Sequence, residues 1–258
     1  MRFAALQYPI VWGNTAANLR LASERIAALA GEADVAVLPE MFATGFCSDQ
    51  PELAEDEDGE IINTLQSISD ATGIAIISTF MCRTGDKIYN RGFLISPFAL
   101  PQWQDKRHLY FHGGEDKFFT PGTKRQVMVY GGVRILLTIC YDLRFPVWNR
   151  NATGNDYDVI VVCGNWPQAR VAHWDAMIPS RGIENLSYIM AVNLVGDDGW
   201  GRHYNGHSAA YDTYGKELLG FHDDEAGTRI ADFNIGVLRH FREVLPLWKD
   251  NDWFELKS

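Results

Sequence analysis

The sequence predicts a layered α/β protein, with a mixed sheet or two packed sheets. Three observations lead there. Short aliphatic runs alternate along the chain with stretches of helical periodicity. Several of those runs are apolar at almost every position, so the strands they form need cover on both faces. No Pro-, Gly- or Ser-rich linker and no low-complexity stretch interrupts the 258 residues, so nothing marks a domain boundary.

The elements follow in order. RFAALQ (2–7) reads as a first strand. Residues 15–30 carry Leu19, Ile26 and Leu29 at helical spacing and stop at Gly31. VAVLPE (35–40) is a buried strand ending at Pro39-Glu40. The alternation then repeats, with a helix over 61–71, a strand over 74–79 (IAIIST) and a more alternating strand over 87–96. VMVYGGVRILLTIC (127–140) reads as two strands about the Gly131-Gly132 turn. DVIVVC (158–163) is a strand and 173–186 a helix, followed by YIMAVNLVG (188–196) and HSAAYD (207–212). Three of these runs end in residues with chemistry, at Glu40, at Cys140 and at Asn165-Trp166. Ligand sites of α/β sheets collect beyond the carboxyl ends of strands, where residues a hundred positions apart can meet.

Composition narrows the function. Apolar residues make up 47% and charged residues 22%, a globular balance. The net charge is −10, which argues against a nucleic-acid or anionic-membrane partner. Residues 49–60 (DQPELAEDEDGE) hold seven acids and no base, so most of that charge is one local feature. It reads as a solvated loop or helix start and lacks the ligand spacing of a calcium loop. Cys47, Cys82, Cys140 and Cys163 show no CxxC spacing and are too few for a disulfide framework. The N-terminus has one base and an apolar stretch broken by Gln7 and Pro9, a poor signal peptide. No apolar run approaches the ~18 residues of a membrane span. The expectation is a cytoplasmic protein.

Cys140 ends an aliphatic run before Tyr141-Asp142. Most cysteines so placed are inert core thiols. A strand exit, though, is the edge at which a nucleophilic thiol meets a base. Glu40 is either an exposed loop carboxylate or, directly after an apolar run, a shielded base. Lys106 in WQDKRHLY reads alone as a surface lysine, yet beside a thiol it would favour thiolate and stabilise an oxyanion. The histidines offer a competing Cys–His scheme. The pairs His108/His112 and His203/His207 have i, i+4 spacing but lie beside glycine or in extended stretches, so no metal site is expected.

In this order VAVLPEMFATGF, DKRHLY and ILLTICYDLRFP resemble the three signature segments of the nitrilase (carbon–nitrogen hydrolase) superfamily. WDAMIPSRGIENLSYIMAVNLVG and YNGHSAAYD are similar to its following helix and strand, so the resemblance runs from about residue 2 to about residue 240. Within the superfamily, LTICYDLRFPVWNRN most resembles the omega-amidase branch. That branch hydrolyses the terminal amide of 2-oxo-dicarboxylic acid monoamides such as 2-oxoglutaramate and 2-oxosuccinamate.

The resemblance implies a four-layer αββα sandwich in a single domain over 1–258, with Glu40, Lys106 and Cys140 as catalytic residues. It implies a second glutamate in HGGEDKFF, best matched by Glu115, with Asp116 as its competitor. The implied chemistry is a cysteine thioester with no metal and no cofactor, its oxyanion held by Lys106 and the backbone N–H of Tyr141. Arg144, His112 and Lys117 are candidates to meet a substrate carboxylate, and Phe42 and Trp166 to form apolar walls. The remaining cysteines, with Trp148, Trp174, Trp200, Trp248 and Trp253, are expected in the core or at an interface. Family members commonly form homodimers, and the aromatic tail at 241–258 is the segment expected at a subunit interface. Two alternatives stay open: another carbon–nitrogen hydrolase (N-carbamoyl compounds, a deaminated peptide amide or a nitrile), or a catalytically silent binding protein. Three positions depart from the common pattern. Gly182 stands where alanine is usual, Leu194 where arginine often follows the asparagine, and His207 where aspartate is usual.

Overall fold

A computed structural model describes residues 1–151, 156–250 and 252. Trp253 and most of the end of the expected aromatic tail lie outside the described residues, as does the side chain of Trp248. The first half of the chain gives β1 (Arg2–Gln7), α1 (Thr15–Ala27), β2 (Val35–Val37), α2 (Glu60–Thr72), β3 (Ala75–Thr84), β4 (Lys87–Ile95) and β5 (Gln102–Asp105). The second gives β6 (Val127–Tyr130), β7 (Val133–Ile139), α3 (Pro146–Asn149), β8 (Val159–Cys163), α4 (Val171–Glu184) and β9 (Tyr188–Val192). A hairpin follows, β10 (Val195–Asp197) and β11 (His203–Asn205), then β12 (Ala209–Tyr211), β13 (Glu217–Gly220), β14 (Gly227–Asp232) and α5 (Ile235–Val244).

Two six-stranded sheets result, ordered β14-β1-β2-β3-β4-β5 and β6-β7-β8-β9-β12-β13. Each has three parallel central strands, β1–β3 or β7–β9, flanked by antiparallel ones. Both sheets thus repeat one βαβαβ plan, and the β10–β11 hairpin stands apart as a third, two-stranded sheet.

Strand alternation builds the layers, because successive side chains leave a strand on opposite faces. Phe3, Ala5, Val37 and Ile77 point inward to meet Leu137, Ile139, Val161 and Met190 of the other sheet. Their neighbours Ala4, Leu6, Ala36 and Ile76 point outward onto Leu19, Ala22 and Ile26 of α1 and Ile61 and Leu65 of α2. On the second sheet, Leu136, Ile160, Val162 and Ile189 point outward onto Trp174 and Ile178 of α4. The order is helix, sheet, sheet, helix. Each fully buried aliphatic side chain contributes roughly 1.5–3 kcal/mol by leaving water. One glycine sets how closely the sheets approach. A Cβ on Gly92 of β4 would lie 2.4 Å from Leu137 Cδ2 and 3.1 Å from Ile139 Cδ1.

The structure differs from the sequence expectation at several boundaries. The strand expected over 35–40 pairs only to Val37, because Pro39 has no N–H to give a ladder. The strand expected over 188–196 divides at Asn193, whose side chain donates to the carbonyls of Trp166 (3.0 Å) and Gly206 (2.7 Å). The acidic segment is a loop, but a pinned one. The N–H of Glu55 donates to the Met81 carbonyl (3.1 Å), its carbonyl accepts from the N–H of Arg83 (2.8 Å), and Glu57 pairs with Arg91. Among the described residues no helix is long and apolar enough to cross a membrane.

Candidate active site

The carboxyl ends of β2, β7 and β8 converge, bringing Glu40, Cys140 and Asn165 to one place, and Lys106 joins them from the end of β5. Cys140 opens a 3-10 turn, Cys140–Arg144, with φ at +46, a left-handed backbone that a cysteine adopts only under constraint. The constraint is visible in the partners of the turn. Asp142 accepts from the backbone N–H groups of Arg107 (3.2 Å) and His108 (2.8 Å), tying the turn to the lysine loop. Asn149 donates to the carbonyls of Asp142 (2.8 Å) and Phe145 (2.9 Å), and Arg181 to that of Leu143.

Lys106 is 1% exposed and lies between two carboxylates that are fully buried. Its Nζ is 2.9 Å from Glu40 Oε1 and 2.9 Å from Glu115 Oε2. Asn90 of β4 donates to both acids, to Glu40 Oε1 at 2.8 Å and Glu115 Oε1 at 3.1 Å. The N–H of Tyr110 donates to Glu115 Oε2 at 2.6 Å. Glu40 Oε2 is buried and has no hydrogen-bond partner among the described residues. It is therefore the oxygen left free to receive a proton.

The charges respond to this packing. Burial alone would lower the Lys106 ammonium, but Glu115 and then Glu40 overcome it and hold the group well above its usual range. Burial raises the Glu115 carboxyl, against the pull of Lys106. Burial also pushes the Cys140 thiol well up, the Glu40 charge adds to that, and Lys106 opposes it. The resting sulfur is thus a thiol that needs a base to become a nucleophile.

Above these groups opens a cleft of ≈ 460 Å³, part of it open to solvent. Phe46, Tyr110, Tyr141, Trp166 and Tyr204 wall it, and Arg144, Arg170 and Arg202 line it as well. Eight residues singled out in the sequence therefore assemble: Glu40, Lys106, Cys140, Glu115, Tyr141, Arg144, Asn165 and Trp166. Three others do not line the cleft. Phe42 is fully buried and packs edge-on against Phe93 in the core beneath the helices, so it forms no wall. His112 and Lys117 are exposed. Two short 3-10 turns, Phe111–Gly113 and Glu115–Lys117, aim Glu115 inward, and the residues beside it on so tight a turn face out. For the same reason Glu115, and not the exposed Asp116, meets Lys106.

The histidine pairs separate. His108 stacks on Phe145 and bonds Asp142, while His203 and His207 each sit between two aspartates. Of the departures, Gly182 leaves little room for a Cβ, which would lie 3.2 Å from Ile189 Cγ2, and Leu194 is buried in the outer core. Cys47, Cys82 and Cys163 are buried, as are Trp148 and Trp174. Trp200 is 39% exposed and packs against Trp12.

Sequence reasoning missed Asn90, Phe46, Tyr110, Arg170, Arg202 and Tyr204. Asn90 had a readable signal, an amide at an inward position of a strand, where a buried polar group must have a partner. The two arginines had none, since each lies in a polar turn like many others.

Residues 2–243 match the family described as carbon–nitrogen hydrolase. The omega-amidase YafV of Escherichia coli K12 is 37% identical over 99% of this chain and 98% of its own. The 2-oxoglutaramate amidase of Bacillus subtilis is 27% identical, over 96% of each chain. Among solved structures, XC1258 of Xanthomonas campestris, a CN-hydrolase superfamily protein with an arsenic adduct in its active site, superposes with a TM-score of 0.93. It is 32% identical over 99% of this chain and 98% of its own.

Proposed function

From the premise that this chain belongs to the carbon–nitrogen hydrolase family, and so hydrolyses carbon–nitrogen bonds other than peptide bonds, we propose that it is an omega-amidase. Its substrates are the terminal amides of small 2-oxo-dicarboxylic acid monoamides, 2-oxoglutaramate and 2-oxosuccinamate. The observation that carries the reading is a thiol, a free carboxylate oxygen and a buried ammonium on the floor of a cleft whose walls carry arginines. Breaking the amide is work for the floor, and a buried substrate carboxylate needs a cation on the wall.

The steps follow from the groups. Glu40 Oε2 takes the Cys140 proton as the sulfur bonds the amide carbon, since a thiol held high by burial does not ionise beforehand. The carbonyl electrons move to oxygen, and the Lys106 ammonium and the N–H of Tyr141 stabilise that oxyanion. Glu40 passes its proton to the nitrogen, the C–N bond breaks and ammonia leaves, with the acyl group on sulfur as a thioester. Water then gives a proton to Glu40 and attacks. The C–S bond breaks, and the sulfur recovers the proton. Glu115 and Asn90 keep Lys106 and Glu40 in register.

A substrate panel with ammonia detection tests this. Turnover of the two oxo-acid amides is expected to exceed that of N-carbamoyl amino acids and simple nitriles by at least roughly tenfold. Cys140→Ala should abolish it, and acid quenching should trap an acyl group on Cys140 for mass spectrometry. No release of ammonia from either oxo-acid amide would move the protein to another branch of the family. We also propose a homodimer joined through the 241–258 segment, where Val244 and Leu245 are 69% and 41% exposed. Light scattering at the monomer mass would refute it.

A further inference from the structure

Three guanidinium groups line one cleft of a protein whose net charge is −10. The carboxylates at the floor pair with Lys106. Arg144 contacts His173 Nδ1 at 3.0 Å, which is not an anion partner. Arg202 approaches Asp198 only to 3.9 Å. The Arg170 side chain has no hydrogen-bond or ion-pair partner among the described residues. Each group is instead laid against an aromatic ring: Arg144 over Trp166 at 4.5 Å, Arg170 over Tyr110 at 5.2 Å and Arg202 over Trp200 at 4.8 Å. Stacking orients a guanidinium while leaving its N–H edge free for a bidentate partner.

The three come from separate elements. Arg144 ends the turn of the nucleophile, Arg170 sits on the 3-10 turn Gln168–Arg170 after β8, and Arg202 precedes β11. That turn packs against β11, so Arg170 and Arg202 belong to neighbouring segments. Like charges gathered this way repel one another until an anion arrives, and they make the mouth of an acidic protein locally attractive to anions. A carboxylate has about four lone-pair sites, more than one arginine fork uses.

We propose that Arg170 and Arg202 act with Arg144 as specificity determinants, gripping the far carboxylate of the substrate so that the site takes amides of dicarboxylic acids and discriminates against amides ending in a neutral group. The proposal rests on the omega-amidase reading for its reaction, but the anion site itself can be measured without turnover.

Isothermal titration of 2-oxoglutarate into the wild type, Arg170→Gln, Arg202→Gln and the double variant reads the site directly. Each single variant should raise Kd on the order of tenfold, and the double variant further. The ratio of kcat/KM for 2-oxoglutaramate over valeramide should fall by a similar factor. Arg202→Lys, which keeps the charge without the fork, should lie between wild type and Arg202→Gln. The same Kd and the same ratio in the double variant as in the wild type would overturn the proposal, as would a wild type that does not bind the dicarboxylate. Arginine-dependent binding in a protein that releases no ammonia from oxo-acid amides would keep the anion site and remove the omega-amidase reading.

Discussion

Glu40, Glu115 and Lys106 form a buried group of three charges, and Asn90 touches both acids. Taking away the ammonium strands two carboxylates that water cannot reach. Lys106→Met is therefore expected to destabilise by about 3–5 kcal/mol, read as a lower urea midpoint at unchanged slope. Glu115→Gln should cost less, because Glu40 still pairs the ammonium. Cys140 offers a second test. After burial, the Glu40 charge is what holds its thiol up. Glu40→Gln removes that charge and keeps Lys106, so the thiol should titrate lower. Alkylation of Cys140 by iodoacetamide should then set in at lower pH than in the wild type, while ammonia release falls by about 100-fold or more for want of the base. An unmoved alkylation profile would contradict the assignment of Glu40. At this scale the sequence was legible where chemistry sits on a segment of its own, as at Pro39-Glu40 and CYDLRFP. It was illegible where a residue earns its place through a partner: Asn90 matters because Glu40 and Glu115, 50 and 25 positions away, fold onto it.

The β10–β11 hairpin brings Arg202 and Tyr204 to the cleft and is held by histidines. His203 bridges Asp197 (2.8 Å) and Asp224 (2.7 Å), and just beyond β11 His207 bridges Asp175 (3.0 Å) and Asp223 (2.7 Å). Hydrogen bonds that its ring donates to Asp197 and Asp224 raise His203 above its ordinary 6.5. Burial pulls His207 down, but Asp223 and Asp175 more than reverse it, so it too is raised. A group raised on folding stabilises fully below its unfolded value and ceases to as pH climbs through the folded one. The contact of the hairpin with the 222–225 turn should therefore be firmest below pH 6.5 and loosen as pH climbs above that value. Hydrogen exchange corrected for its intrinsic pH dependence should show protection of 195–207 falling over that range, and His207→Gln should flatten the fall. Equal protection throughout would mean the clamps carry nothing. The hairpin was also the element least legible in the sequence. Three-residue strands have no period to read, and β14, with exposed and half-exposed residues alternating along most of GTRIAD, looks like a loop until β1 pairs with it. By contrast α2, β3 and β7 bury continuous or periodic apolar faces, and their residues announced them.

The two βαβαβ halves look separable, yet the chain binds them together at both its ends. β14 comes from residue 227 onward and closes the edge of the first sheet on β1 over six residue pairs. The N-terminal ammonium adds a bond to the Phe233 carbonyl at 3.1 Å. The inner core takes residues from both sheets, so neither half can bury its inner face without the other. The site has the same dependence: Glu40 and Lys106 belong to the first sheet, Cys140 and Asn165 to the second, and the Asn165 side chain donates to the Glu40 carbonyl at 3.1 Å across the join. If the sheets are one cooperative unit, activity cannot outlive their contact, nor can one half stay folded when the other opens. In urea, ammonia release, tryptophan fluorescence and far-ultraviolet circular dichroism should therefore fall together at one midpoint. Two resolved transitions, with half of the dichroism surviving the loss of activity, would show that each βαβαβ half folds by itself and that the inner core only docks them.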